Sequence, residues 1–497
     1  MSPSTWKFFS TCLVLFLPIA TPGLEKGMAS VSQEELTALL ELADGLLDER
    51  DLDGAEKAYK KALKVSSESP EALKGLGKIG LAKEDWGDVK KWFGKALELD
   101  SRDPEANYFL GIAHRETGKH KGFFLQGRDL GKSRDYFDAV IAVDSSYQDV
   151  LLQRGLAERR DDHWKEAVEW ALRQVEIRPE LAHGQVGLFK LQRLLLRFGN
   201  QEDIKELAFK PVKHWGDYFG AEKLRYDGQI DKADSMLQAL LDQDMVTYVP
   251  VLTSLARLSA EREDDSNVID YYWRAVDSLK SDLDAEFLFE DAKFVFDEKE
   301  LDRYFSLTSL DKKQEFFYDF WARRDAVPAT EFIFSVVEHY QRLVVAEKDY
   351  WFEGVRSKLD QMERVGNLRF PVTYDLNQEF NDKGIIYVRH GEPDRVATSI
   401  GTPVNESWLY YRDGDRPKLV MHFVVASSSV SNNWQFTPYL EGRSVLSERL
   451  GWDSSIYSLY HARTEVEYLS ELRNMAEKSE EFIFNALTTW TYSWDEE

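Results

Sequence analysis

Cysteine is nearly missing from this 497-residue chain: the single one, Cys12, lies in the N-terminal apolar stretch. Downstream of it there is no thiol, which excludes cysteine catalysis, thiolate-ligated zinc and internal disulfides together. Positive charge is also short, with 63 Lys and Arg against 88 Asp and Glu and a net charge of -25. Such a balance keeps a protein soluble and argues against nucleic acid, whose phosphates need a basic face. H-E-x-x-H, G-x-S-x-G, a Walker loop and the Rossmann glycines are all missing, and the histidines are scattered at spacings that suggest no metal. No cofactor is expected.

An apolar run long enough to span a bilayer comfortably is lacking too. Phe8 to Ile19 is short, Lys7 precedes it and Thr21-Pro-Gly23 follows, so residues 1–23 read as a secretory signal. Cys12 is not placed like a lipoprotein cysteine, because the apolar run continues past it. The expectation is an exported protein, periplasmic, outer-membrane-associated or secreted, starting near Leu24. Membrane association would come only through export or peripheral contact.

What the chain does have is a period. Leu39, Leu42, Ala43, Ala55, Tyr59, Ala62 and Pro70 return 34 residues later as Leu73, Leu76, Gly77, Val89, Phe93, Ala96 and Pro104. Leu110 and Gly111 open a third copy, which an insertion around His120 to Lys132 interrupts before Tyr136 and Phe137. Gly155, Ala167, Ala171 and Pro179 mark a fourth. This period resembles the tetratricopeptide repeat, a helix-turn-helix whose small residues let two helices approach closely. The pattern weakens after Leu181, with Leu255, Ala256, Tyr272 and Ala275 as one degenerate copy, so the repeat domain is expected over 32–304. A helical pair cannot bury its apolar face alone, so the copies should stack into an α-solenoid whose concave face holds a protein partner. Phe123 and Phe124 in the insertion are expected to fold back onto the solenoid. Asp51-Leu-Asp-Gly54 resembles the start of a calcium loop, but Lys60 stands where the closing Glu belongs, so it reads as a turn.

From Leu310 the 34-residue echo stops, and residues 310–497 are expected to form a smaller α+β domain ending in a helical segment. Lys312 to Arg324 and Ala329 to Phe352 read as helices. Trp408 to Tyr411 and Leu419 to Val425 read as the arms of a hairpin turning at Asp413-Gly-Asp415, and helix returns from Ile456 to Leu487. Ile385 to Val388, β-branched or aromatic, reads as a buried strand stopped by Gly391 and Pro393. Its end would carry Arg389, His390, Glu392, Asp394 and Arg395, the candidate binding residues, with Trp408 and Tyr410 as a neighbouring stacking face or as core.

Landmarks in order across this region resemble the GWxTD domain: Phe320-Trp-Ala-Arg-Arg-Asp325 with Pro328, Thr330 and Glu331, then Tyr340 and Arg342, Asp382-Lys-Gly384, Gly391-Glu-Pro-Asp394, and Glu406, Trp408 and Tyr410. The naming motif is poorly kept, since Gln378-Glu-Phe-Asn-Asp382 stands in its place. The family brings no established activity with it, and the region is expected to dock on or recognise a second component of an envelope assembly beside the interaction scaffold. Val388-Arg-His-Gly-Glu392 is also similar to the first-strand motif of the histidine phosphatases, which would make His390 a phosphorylated nucleophile beside Arg389. That chemistry needs a second His and Arg around the phosphate, and no second His-Gly follows an apolar strand. For a structural loop, Gly391 at positive φ and a capping Asp394 should matter for stability, while His390→Ala should be nearly silent.

Overall fold

The computed structural model describes residues 24–118, 123–210, 212, 215–324, 334–352, 370–399, 404–411, 419–425, 432–440 and 442–490. The chain is an α-solenoid followed by a smaller α+β region, and it divides into two compact units, Met1–Leu195 and Leu196–Glu497. Residues 1–23, read as a secretory signal, the insertion at 119–122 and the expected turn at 413–415 lie outside the described residues, as do the side chains of Phe123 and Phe124.

The first unit is a run of helical pairs: Leu24–Asp48 with Leu52–Val65, Pro70–Ala82 with Trp86–Leu99, Pro104–Gly118 with Phe123–Val143, and Val150–Arg159 with Trp164–Ile177. Several of the described helices are capped at their starts. Asp51, Ser69 and Asp85 cap the helices that follow them by accepting backbone N–H groups from Gly54, Ala72 and Asp88. The Asp51 turn is therefore a helix cap, as its sequence implies. Ala55, Tyr59, Ala62, Val89, Phe93 and Ala96 are buried between successive helices.

Close approach has a specific chemical cause at Gly75. A Cβ there would lie 2.3 Å from the Tyr59 ring of the preceding pair. That ring cannot swing away freely, because its hydroxyl donates to Asp44. Gly75→Ala is therefore expected to cost about 1–3 kcal/mol by overpacking. Gly94→Ala, where nothing lies within 4 Å of the new methyl, should gain up to about 1 kcal/mol from helix propensity alone. Urea midpoints moving equally for the two variants would contradict this register.

The second unit takes in the degenerate helices from Gln201 onward together with the C-terminal elements, so the compact division falls inside the Ala182–Phe198 helix, well before Leu310. Here the Phe334–Asp349 helix packs on Val249–Glu261, Asp265–Asp277 and Asp382–His390. An antiparallel sheet follows in the order β1 (Arg395–Ser399), β2 (Asn405–Tyr410), β3 (Leu419–Val425), β4 (Trp434–Phe436). The expected hairpin is β2–β3, in register with Ser407 opposite His422 and Trp408 opposite Met421.

Both faces of β2 and β3 are buried, by alternation along each strand, while β1 is largely exposed. Trp408, Tyr410, Met421, Phe423 and Phe436 join Ile385, Ile386, Ile483 and Leu487 in one core. Leu409 and Val420 point the other way, into Leu446, Trp452, Ile456, Leu459 and Met475. The last two helices, Ser454–His461 and Glu465–Thr488, occupy the stretch where helix was expected to return.

One expectation is overturned. Ile385 to Val388 is not a strand but the middle of the Asp382–His390 helix. Asn381 caps its first turn by accepting from Gly384 N–H, and Gly391 ends it at φ 71°. Ile385, Ile386 and Val388 are all fully buried, on the sheet or on neighbouring helices. Burial on every side satisfies β-branched residues in either conformation, and the caps decide between them.

Candidate functional site

Arg389 and His390 end that helix and are buried, at 1% and 3% exposure. Their side chains do not converge. Arg389 donates through Nη2 to Phe296 O at 2.6 Å and through Nη1 to Thr489 O at 3.3 Å. Burial, and then the nearby Arg324, pull its pKa down to about 9, which still leaves it charged at neutral pH. His390 meets Ala486 O through Nε2 at 2.7 Å, and its ring lies 5.6 Å from that of Tyr410. A carbonyl oxygen only accepts, so the imidazole proton sits on Nε2.

Gly391 has the positive φ its sequence position implies, and a Cβ there would press on Arg342 Nε at 3.0 Å. Arg342 in turn donates to Arg389 O at 2.8 Å, and Tyr410 OH donates to Gly391 O at 2.9 Å. Glu392, Asp394 and Arg395 are exposed. Asp394 accepts from Tyr411 N–H and so pins the loop to the end of β2, while the Arg395 guanidinium lies 5.6 Å from the Trp452 ring centre. The seven candidates thus separate into four interior residues and three surface ones.

A phosphohistidine nucleophile needs an accessible imidazole at the end of a strand, with cations turned toward the phosphate. His390 ends a helix instead, and its buried ring faces a backbone carbonyl. The expectation that His390 is nearly silent in stability is also corrected. His390→Ala removes a buried ring and its hydrogen bond, and should cost about 2–4 kcal/mol. Asp394→Ala should cost about 1 kcal/mol. Neither variant should change phosphomonoester hydrolysis, which is expected to be absent; a hydrolysis rate that vanished only in His390→Ala would contradict this geometry.

Two polar clusters escaped the sequence reading. In the first, Lys383 donates to Glu406 Oε1 at 2.7 Å and stands 3.2 Å from the Trp434 ring centre. Trp408 Nε1 donates to the same carboxylate oxygen at 2.6 Å. Desolvation outweighs the carboxylate and pulls the Lys383 ammonium down to about 8. In the second, Arg449 Nε donates to Ser407 Oγ at 2.7 Å, and Ser407 lies 2.7 Å from His422 Nδ1. Ser407 Oγ thus links the Arg449 guanidinium to the His422 ring. Ser407 is 0% exposed, so this serine–histidine pair is a pin between β2 and β3 rather than a nucleophile. The expected arm began at Trp408, so Ser407 fell just outside it, and its pairing with His422 is not visible in a linear sequence.

Buried histidines make stability depend on pH. Burial, with Arg449 nearby, holds His422 down to about 3, and burial holds His339 down to about 4. An unfolded histidine binds its proton near pH 6.5. Below that pH the unfolded state carries protons the folded state refuses, so stability falls as pH falls from about 6.5 toward 4. Each group contributes a slope of up to about 1.4 kcal/mol per pH unit. Urea unfolding at pH 7 and 5 should show the loss, and His422→Asn should flatten it. A slope unchanged in that variant would contradict the assignment.

Among the described residues no three His, Cys, Asp or Glu side chains gather as metal ligands, and no helix is long and apolar enough to cross a membrane. Residues 40–88, within the run of helical pairs of the N-terminal unit, match the family model described as tetratricopeptide repeat. No curated protein matches the chain. Among solved structures, the chain is similar to the MamA protein at 22% identity and TM-score 0.30, over 40% of this chain and 96% of that one. Pseudomonas aeruginosa pilF is similar at 16% identity and TM-score 0.32, over 52% and 99%. YrrB, titled a TPR protein with an unusual peptide-binding site, is similar at 18% identity and TM-score 0.28, over 37% and 90%.

Proposed function

We propose that the chain is an exported interaction scaffold. Its solenoid holds a segment of a protein partner on the concave face, and its C-terminal region, 310–497, docks on a second component of a cell-envelope assembly. The observation that carries the reading is the stacked repeat itself: a tetratricopeptide unit is a protein–protein interaction surface, and its helices need no chemistry to explain them. A ladder of Lys74 with Asp103 and Glu105, and Lys78 with Glu105, links the first helices of two successive pairs and is partly exposed. It supplies a mixed-charge surface suited to a polar peptide.

Several residues at the GWxTD landmark positions lie in the interior of this region. Asn381, standing where the motif has Thr, caps a helix as Thr would. Asp382 accepts from Tyr374 OH at 2.8 Å and from Phe436 N–H at 2.7 Å. Glu379, standing at the Trp position, accepts from Lys293 at 3.1 Å. Tyr340 OH donates to Asp291 at 2.8 Å. These positions build the framework of the C-terminal region, which fits a recognition domain whose surface, not its interior, meets the partner.

Affinity purification of the full chain from its native cell, in wild-type form and as Lys74→Glu/Lys78→Glu, tests the scaffold. A partner retained by wild type and lost from the folded double variant is expected. Identical partner sets from both would sink the concave-face reading. Export is tested separately by N-terminal sequencing, which should begin near Leu24 in an extracytoplasmic fraction rather than at Met1 in the cytoplasm.

A further inference from the structure

The internal repeat provides its own template for what covers each first helix. Ala72 and Leu76 in the second pair, and Ala106 and Leu110 in the third, are all 0–2% exposed. Ala72 and Leu76 belong to the same core as Ala58, Tyr59 and Ala62 of the preceding pair. Ala106 and Leu110 share theirs with Val89, Phe93 and Ala96, again from the preceding pair. In each case a second helix of one pair lies on the first helix of the next.

The counterparts 34 residues earlier are Ala38 and Leu42. Ala38 is exposed and Leu42 is 55% exposed, because no helical pair precedes Leu24–Asp48 among the described residues. The same surface forms a shallow groove lined by Gln33, Glu34, Thr37, Ala38 and Glu41. It is a continuation of the repeat-to-repeat interface that no helix among the described residues covers.

One position differs in kind. Gly75 receives the Tyr59 ring, and Phe109 packs on Phe93 at 5.0 Å. The first-pair counterpart of Gly75 and Phe109 is Glu41, which is exposed. Where the internal interfaces seat an aromatic ring, this one presents a carboxylate, with Glu34 two turns away on the same groove. A second copy of the chain would bring Glu34 and Glu41 against their own like charges, and the whole chain carries -25.

From this we infer that the N-terminal end face of the solenoid is a docking site for an amphipathic helix of a partner protein. That helix lies where the second helix of a preceding repeat would lie. It places small or aliphatic residues on Ala38 and Leu42 and a Lys or Arg opposite Glu41. The site is separate from the concave face and does not depend on it.

The chain contains the template for a probe. Helix Leu52–Val65 is a covering helix and carries Lys57, Lys60, Lys61 and Lys64. A fluorescent peptide of residues 51–66 carrying Tyr59→Arg puts a cation where Glu41 calls for one. Anisotropy titration against the full chain should give saturable binding. The variant Glu34→Lys/Glu41→Lys should weaken it about ten-fold, and a peptide carrying Tyr59→Glu should recover affinity for that variant. Ala38→Arg, an exposed substitution that leaves the fold intact, should block the groove and weaken both peptides.

Three outcomes would overturn the inference: no saturable binding, binding indifferent to Ala38→Arg, or no recovery in the charge swap. Sedimentation showing a self-association that Leu42→Asp abolishes would also overturn it, by making a second copy the occupant. So would binding that appears only after residues 1–23 are removed, since the chain's own N-terminal segment would then fill the face.

Discussion

Replacing Glu347 with alanine is expected to destabilise the C-terminal unit by about 3–5 kcal/mol. Glu347 is 2% exposed and serves two buried cations at once, Arg257 Nε at 2.9 Å and Arg225 Nη2 at 3.0 Å. Arg257 also pairs with Asp291 through two nitrogens, and Arg225 with Glu222. The surrounding carboxylates hold both guanidinium groups charged against desolvation. Removing Glu347 leaves two water-excluded cations short of a counter-ion, and neither can deprotonate to escape. Glu261 sits at the edge of the same network, where burial pushes its carboxyl up, so Glu261→Gln should cost less than about 1 kcal/mol. Urea unfolding distinguishes the two, and similar losses would contradict a network centred on Glu347.

Arg449→Met should be nearly as damaging, at about 3 kcal/mol or more. Arg449 is 0% exposed and donates to Ser407, Ser399, Ala397 O, Asn405 and Val445 O, tying β1 and β2 to the Arg443–Ser447 helix. Methionine fills most of the volume and makes none of these bonds, so several buried acceptors lose their donor. The substitution also removes a positive neighbour that helps hold His422 neutral. The His422 imidazole in the folded variant should therefore titrate at higher pH than in wild type, which histidine NMR shifts can follow. A loss of stability without that shift would separate Arg449 from His422.

How far the sequence reached follows from which interactions are local. The repeats were legible because the residues buried between successive helices, such as Ala55, Tyr59 and Ala62, return 34 positions later as Val89, Phe93 and Ala96. The β2–β3 hairpin was legible through alternation. Asp382–His390 was not, because Ile385, Ile386, Tyr387 and Val388 favour a strand by their own shape. Signals for a helix were nevertheless present: Asn381 and Asp382 at its start, Arg389 and His390 in its last turn, and Gly391 just beyond. Short strands such as Arg395–Ser399 carry too little pattern to read. The Arg225–Arg257–Asp291–Glu347 network joins residues far apart in the chain, and no periodicity points from one to another.

The two hydrogen bonds of Arg389 also bear on how the protein is made. Each repeat of the N-terminal unit needs only its neighbours, so those helices can close one after another as they leave the ribosome. Arg389, by contrast, reaches back to Phe296 and forward to Thr489, and His390 reaches Ala486. The C-terminal unit therefore cannot finish until synthesis has passed Thr489, and its partly folded form carries the exposed Ile385 and Ile386 surface until then. Contacts of such long separation slow folding. During that interval the unfinished unit is the part of the nascent chain most in need of a chaperone.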